Sequence, residues 1–263
     1  MQFDEDHQFR QLVQARMETA ARRVAIAMCV KGDMASGVFD NGTVSFLRID
    51  GNKLVVTNHH VWESFQDYRT ENQECRLAIG GTGLAQPIDI SNAVAVDKDQ
   101  DLDICVLKIP SEHIEALGKE FCDVQFPPIR ALEGDDVILC GFPGNRTEVF
   151  EMQTPMSKND IVFAHELVLL HMHVESVSDR KILMRFREKK PEVQLFSKKP
   201  IKNYVWGGMS GSLVYRLNPE SEKWVPCAIF HSSTSDGLEG YFCATHLDLI
   251  NANGSLNRNC REE

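Results

Sequence analysis

From residue 24 onward the chain is written in short apolar runs, broken every few residues by glycine, aspartate or asparagine. That punctuation limits the fold more than any other feature of the sequence. Residues 24–30, 43–49, 53–57, 76–79, 88–96 and 104–109 each have the length and side-chain character of a strand. Asp50-Gly51-Asn52 joins two of them through residues that tolerate positive φ, which predicts a hairpin. No stretch between 25 and 109 reads as a helix of the length a parallel βαβ crossover needs, so antiparallel pairing into a barrel is expected. A polar, proline-containing connection spans 110–129, and a second series of strand-like runs follows at 134–144, 161–170, 182–186, 193–196, 212–215, 225–230 and 241–244. The expected fold class is therefore all-β: two antiparallel barrels of the six-stranded type, the first over residues 25–125 and the second over 126–263.

Residues 1–24 carry a different period. Phe9, Leu12, Val13, Met17, Ala20 and Val24 fall at three- and four-residue steps, with Arg10, Arg16, Arg22 and Arg23 on much of the other face. This predicts an amphipathic N-terminal helix packed on the first barrel. Docking of a regulatory protein is its alternative use.

The chemistry is concentrated in three places. Trp206-Gly207-Gly208-Met209-Ser210-Gly211-Ser212 sets a serine between glycines at the start of an apolar run. Glycines admit backbone conformations closed to other residues and let a carbonyl approach the main chain, and the N–H groups of Gly208 and Ser210 can converge on an oxyanion. A serine hydroxyl becomes a nucleophile only when a base takes its proton, and that base needs an orienting partner. Candidates lie upstream. Residues 54–58 lead into His59-His60-Val61-Trp62, and Asp101-Leu102-Asp103 opens the run 104–109.

His60, Asp103 and Ser210 thus stand in the order His, Asp, Ser, which is the chymotrypsin order. The three segments resemble the His, Asp and Ser boxes of trypsin-like serine peptidases, in particular bacterial ones with a Thr-Asn-x-His-Val box, here Thr57-Asn58-His59-His60-Val61. Gly134-Asp135 entering a strand that leaves through Gly141-Phe142-Pro143-Gly144 is similar to the same family, as is the closing segment 247–250. The resemblance covers roughly residues 25–250 and is thin from 145 to 200. It implies a chymotrypsin-like double barrel and a serine endopeptidase with His60 as base, Asp103 as its orienting partner and Ser210 as nucleophile, with no metal or organic cofactor. His59 and Asp101 are the rivals for the first two roles. For the pocket that receives the residue before the cut, the resemblance points to His231, Ser232 and Tyr204. A histidine there accompanies preference for acidic or glutamine residues in the family. The box reads Gly-Met-Ser-Gly-Ser where many members have Gly-Asp-Ser-Gly-Gly, so the aspartate that pairs with a freed amino terminus is missing. A constitutively formed site, or one ordered by a partner, is therefore expected. The alternative reading is a protease-fold interaction module or a peptidase silent until docked, and an esterase would use the same atoms.

Composition narrows the setting. Thirty-eight acidic against 28 basic residues give a net charge of −10, which opposes general nucleic-acid binding. No apolar run approaches the roughly 18 residues of a membrane helix. Residues 1–10 do not read as a leader and the eight cysteines are scattered without paired spacing, so reduced thiols and a cytoplasmic protein are expected. His171 and His173 share a strand face but, with His165, lack a recognisable third ligand. The basic run over 180–202 reads as a solvated face that could also attract an acidic substrate or partner.

Overall fold

A computed structural model describes residues 19–31, 38–80, 87–143, 147–152, 160–165, 167–186, 206–234 and 239–259. The chain is all-β, with two bodies of sheet. The first is an open, curled half-barrel made from β1 (Val24–Lys31), β2 (Val38–Ile49), β3 (Asn52–Thr57), β4 (Cys75–Gly80), β5 (Ile88–Asp89), β6 (Val94–Asp99) and β7 (Ile104–Lys108), in the order β5-β4-β1-β2-β3-β7-β6. A short β8 (Cys122–Val124) pairs beside β2 in parallel, Leu47 against Cys122. The second body is a closed barrel of β9 (Asp136–Gly141), β12 (Val168–Val177), β13 (Lys181–Arg185), β14 (Leu213–Asn218), β15 (Lys223–Ser233) and β16 (Phe242–His246). A separate hairpin, β10 (Thr147–Met152) with β11 (Asp160–His165), makes the fold's remaining sheet.

Near-continuous apolar runs in the first body arise because its strands are covered on both faces. Leu54, Val56, Ile104 and Val106 point to a core shared with Cys140, Phe142, Leu213 and Ile229 of the barrel. Their neighbours Val55, Cys105 and Leu107 point the other way, onto Trp62 and Phe65. The barrel's own interior holds Leu139, Leu170, Met184, Val214 and Phe230 around Trp206 and Phe242, whose rings meet edge to face at 5.1 Å. The hairpin turn is Asp50-Gly51, with φ of 46° and 82°. Positive φ at both central positions is the geometry that matches strand twist across a two-residue loop.

Several expectations need correction. Residues 59–71 form a helix of 13 residues, α1 (His59–Glu71), so the histidines open a helix instead of ending a strand. Trp62 and Phe65, three apart, are its buried face. Residues 88–96 are not one strand: Ser91 N donates to Asp89 Oδ1 and Ala93 N to Ile90 O, a side-chain-stabilised turn that separates β5 from β6. The run 161–170 is likewise two strands, β11 and β12. The polar connection contains a short helix, α2 (Ser111–Ala116), as well as β8. Thr19–Ala21 are helical and Val24 already belongs to β1. The rest of the N-terminal helix, the strand over 193–196, Tyr204 and most of the basic run lie outside the described residues. Among the described residues no helix is long and apolar enough to cross a membrane.

Candidate active site

His60 and Asp103 meet within the half-barrel, and the Ser210 loop packs on the same body through Thr43 and Ser45. Asn58 follows β3 in extended conformation and precedes α1, yet its side chain does not cap the helix. Its Nδ2 donates instead to the carbonyl of Asp103, 2.6 Å away. Capping passes to Asp103 itself: its Oδ1 accepts the backbone N–H of His60 at 3.0 Å. This N–H lies in the first turn of α1, where intrahelical acceptors are lacking and the helix dipole favours negative charge. The other oxygen, Oδ2, meets His60 Nδ1 at 2.7 Å. One carboxylate thus fixes both the backbone and the ring of the same residue. An ionised carboxylate only accepts, so Nδ1 is the donor in this contact and, in the neutral ring, Nε2 is the acceptor. Burial works to raise the pKa of Asp103, but the side-chain and backbone hydrogen bonds from His60 outweigh it and the net shift is downward.

Asp103 sits in a turn, residues 101–103, with φ of 50°, so the alternation that would set Asp101 on its face does not operate. Asp101 is exposed, and its N–H donates to Asp99 Oδ1, as does that of Leu102. The turn is braced from the barrel side of the chain. Thr245 Oγ1 donates to Leu102 O at 2.7 Å, and Arg258 forks onto Asp99 Oδ2 at 2.7 Å and Asp97 Oδ1 at 2.6 Å. His59 turns away, its Nε2 lying 3.7 Å from Glu63 Oε1 one helical turn on. His60 is the histidine that meets Asp103.

Ser210 is held by backbone bonds to the half-barrel. Thr43 N donates to Ser210 O at 2.7 Å, Thr43 Oγ1 to Gly208 O at 2.9 Å and Ser45 Oγ to Gly211 O at 2.7 Å. Gly208 and Gly211 have φ of 89° and 95°. A Cβ on Gly211 would lie 1.9 Å from Thr43 O, so only glycine permits this approach. Among the described residues no acceptor takes the N–H of Gly208 or of Ser210. The Ser210 hydroxyl donates to the carbonyl of His231 at 3.2 Å, and no hydrogen bond joins it to His60.

His231 follows Phe230 at a bulge in the β15–β16 ladder, beside exposed Ser232, whose Oγ lies 2.9 Å from His231 Nδ1. Its Nε2 is buried without a partner among the described residues. Burial, reinforced by the charge of Lys181, pushes the ring down to about 4, while Asp103 pulls the other way. His231 is therefore neutral at pH 7 and shares the electrostatic neighbourhood of the His60–Asp103 pair. Because its unfolded pKa is about 6.5, the unfolded chain binds the extra proton between those values. Stability should fall as pH drops from 6.5 towards 4, by about 2–3 kcal/mol at most from this residue. His246, lowered mainly by burial, adds to the same slope. Urea midpoints measured across that range in wild type and His231→Gln check this: the variant should give a shallower slope.

The residues the sequence did not single out are the supports. Asn58 was visible only as part of its box, and Thr43 carried no signal. Gly141 was seen as a turn glycine, yet a Cβ there would lie 1.7 Å from Ser212 Oγ, inside the nucleophile loop's footing. His171 Nε2 and His173 Nδ1 approach Asp136 Oδ1 at 3.7 and 3.6 Å. Among the described residues no group of three or more side chains is arranged to hold a metal.

Residues 35–220 match the family described as the trypsin-like peptidase domain. No curated protein matches the chain in sequence. Two similar solved structures are the serine protease domain of the Sesbania mosaic virus polyprotein and a thermostable serine protease, AL20, from an extremophilic microorganism. The first is 11% identical with a TM-score of 0.47, over 87% of this chain and 90% of that one. The second is 10% identical with a TM-score of 0.47, over 88% of this chain and 92% of that one.

Proposed function

The chain belongs to the trypsin-like peptidase domain family, and from that premise we propose that it is a serine endopeptidase whose nucleophile is Ser210, whose base is His60 and whose orienting acid is Asp103. The observation that carries the reading is the double grip of Asp103 on His60, 2.7 Å at the ring and 3.0 Å at the backbone. It leaves Nε2 as the free base. In the reaction the Ser210 hydroxyl swings from the His231 carbonyl to Nε2, gives up its proton and attacks the scissile carbonyl. N–H groups of Gly208 and Ser210 receive the oxyanion, and His60 passes the proton to the leaving amine. Water then repeats the cycle on the acyl-enzyme. The first unit, proposed over 25–125, supplies base and acid, and the second, proposed over 126–263, the nucleophile.

Labelling of the full chain by a fluorophosphonate, mapped to Ser210, tests the assignment; labelling elsewhere overturns it. Asp103→Asn supplies a second test. An amide presenting N–H to Nδ1 would force the proton onto Nε2 and remove the base, so kcat should fall about 10⁴-fold. Undiminished turnover in this variant would reassign the acid.

Substrate preference follows from His231. With Ser232 Oγ beside Nδ1, the ring's other nitrogen, Nε2, is buried and unpartnered among the described residues, a hydrogen-bonding position that a carboxylate or amide side chain entering the pocket would satisfy. Acidic or glutamine residues before the cut are the proposed preference. Peptide-library products dominated by cuts after Lys or Arg would end it.

One observation favours a second reading. Since the serine hydroxyl bonds to His231 O instead of His60, the second reading is a peptidase held silent until a partner docks, or a protease-fold binding module. Labelling that begins only when a partner protein is added selects gating.

A further inference from the structure

Cys29 on β1 and Cys75 at the start of β4 bring their sulfurs to 2.8 Å inside the core, each side chain only 4% exposed. That is about 0.8 Å longer than an S–S bond of about 2.05 Å. We propose that these two thiols are an oxidisable pair, a site where a low-molecular-weight disulfide such as glutathione disulfide installs an internal cross-link between β1 and β4.

The sheet sets up the approach. Cys29 lies opposite Leu77 and Cys75 opposite Lys31, so the cysteines are diagonal neighbours on one face of an antiparallel pair. Diagonal Cα atoms stand about 7–8 Å apart, beyond the ~6.8 Å that a disulfide ordinarily spans, so closing the bond requires a small backbone movement. The remaining movement falls where the ladder yields most easily. A bulge separates Cys29 from Val30 in the pairing with β2, and Cys75 is the first residue of β4, leaving a turn closed by its own N–H on Asn72 O. A water-sized cleft lined by Cys29, Gly42, Val61, Ser64, Phe65 and Leu77 lies between the sheet and α1, so a glutathione-sized oxidant reaches Cys29 only as α1 or the start of β4 opens locally.

Among the described residues the other buried cysteines, Cys105, Cys122, Cys140 and Cys227, make no hydrogen bond to a second sulfur. The chemistry balances with one equivalent of oxidant. The Cys29 thiol gives its proton to solvent and its thiolate attacks one sulfur of glutathione disulfide, releasing one glutathione thiolate. Cys75, deprotonated in turn, attacks Cys29 Sγ of the mixed disulfide and releases the second. Two protein thiols are oxidised and one glutathione disulfide is reduced to two thiols.

The cross-link closes a loop that contains β2, β3 and α1, and therefore His60. By loop-entropy arguments it should raise the thermal midpoint by about 5–10 °C. The test uses the reduced full chain incubated with glutathione disulfide and read by intact mass and non-reducing peptide mapping. The expected result is loss of two hydrogens, a Cys29–Cys75 peptide and a raised midpoint that dithiothreitol reverses. Cys75→Ser should instead trap a glutathione adduct on Cys29. An unchanged mass in the folded wild type, a stable glutathione adduct on it, or a cross-link mapped to other cysteines would each overturn the proposal. Because the mass is read on the wild type, the result does not depend on a variant folding or on the peptidase reading.

Discussion

Ser210→Ala should lower kcat on any cleaved peptide by about 10⁶-fold while leaving the protein folded. The asymmetry follows from where the hydroxyl sits. Ser210 is buried, but its Oγ makes a single hydrogen bond, to a carbonyl at 3.2 Å. Removing it costs about 1 kcal/mol of stability. Chemistry loses far more, because no second hydroxyl stands at the tip of the loop: Ser212 Oγ is buried against Gly141. Matched measurements of peptide hydrolysis, fluorophosphonate labelling and thermal midpoint separate the two effects. If the variant retained a tenth of wild-type turnover, the nucleophile would have to be sought elsewhere.

Gly211→Ala should be the most damaging small substitution for the fold, at about 4 kcal/mol or more. Two penalties coincide. At φ of 95° a side chain is strained before any neighbour is considered, and the new Cβ would meet Thr43 O at 1.9 Å. That carbonyl cannot simply move aside, because it accepts Thr57 Oγ1 at 2.9 Å while the N–H of the same residue holds Ser210. Gly51→Ala is the control. Its φ of 82° imposes a similar conformational cost, but nothing lies within 4 Å of the added carbon, so about 1 kcal/mol is expected. Denaturant unfolding of the two variants, side by side, divides backbone strain from collision. Equal losses would mean that the contact with Thr43 is unimportant.

Strand runs were legible, and the three boxes could be proposed, because their signals are local. A β-branched run or a glycine on either side of a serine can be read within a few residues. The α1 helix was legible in principle, from Asn58 before it and from Trp62 and Phe65 spaced along one face, but the strong strand signal of residues 54–57 masked the change of period. What could not be read was long-range support. Thr43 is an ordinary strand threonine until it lies against Gly208 and Ser210, far along the chain. Asp101 and Asp103 look interchangeable until the turn, with Asn58 on its carbonyl, selects one of them. Closure is also non-local: the same kind of strands curl into an open half-barrel in one body and complete a ring in the other. The domain boundary near 125/126 remains our proposal, drawn where β8 ends and the barrel strands have yet to begin.

The turn that presents Asp103 is fastened by Thr245 and Arg258, both made after every other participant. On a ribosome, the His60–Asp103 half is therefore translated long before its last struts emerge. A nascent chain thus carries Asp103 on an unbraced bend until Thr245 and Arg258 have been made.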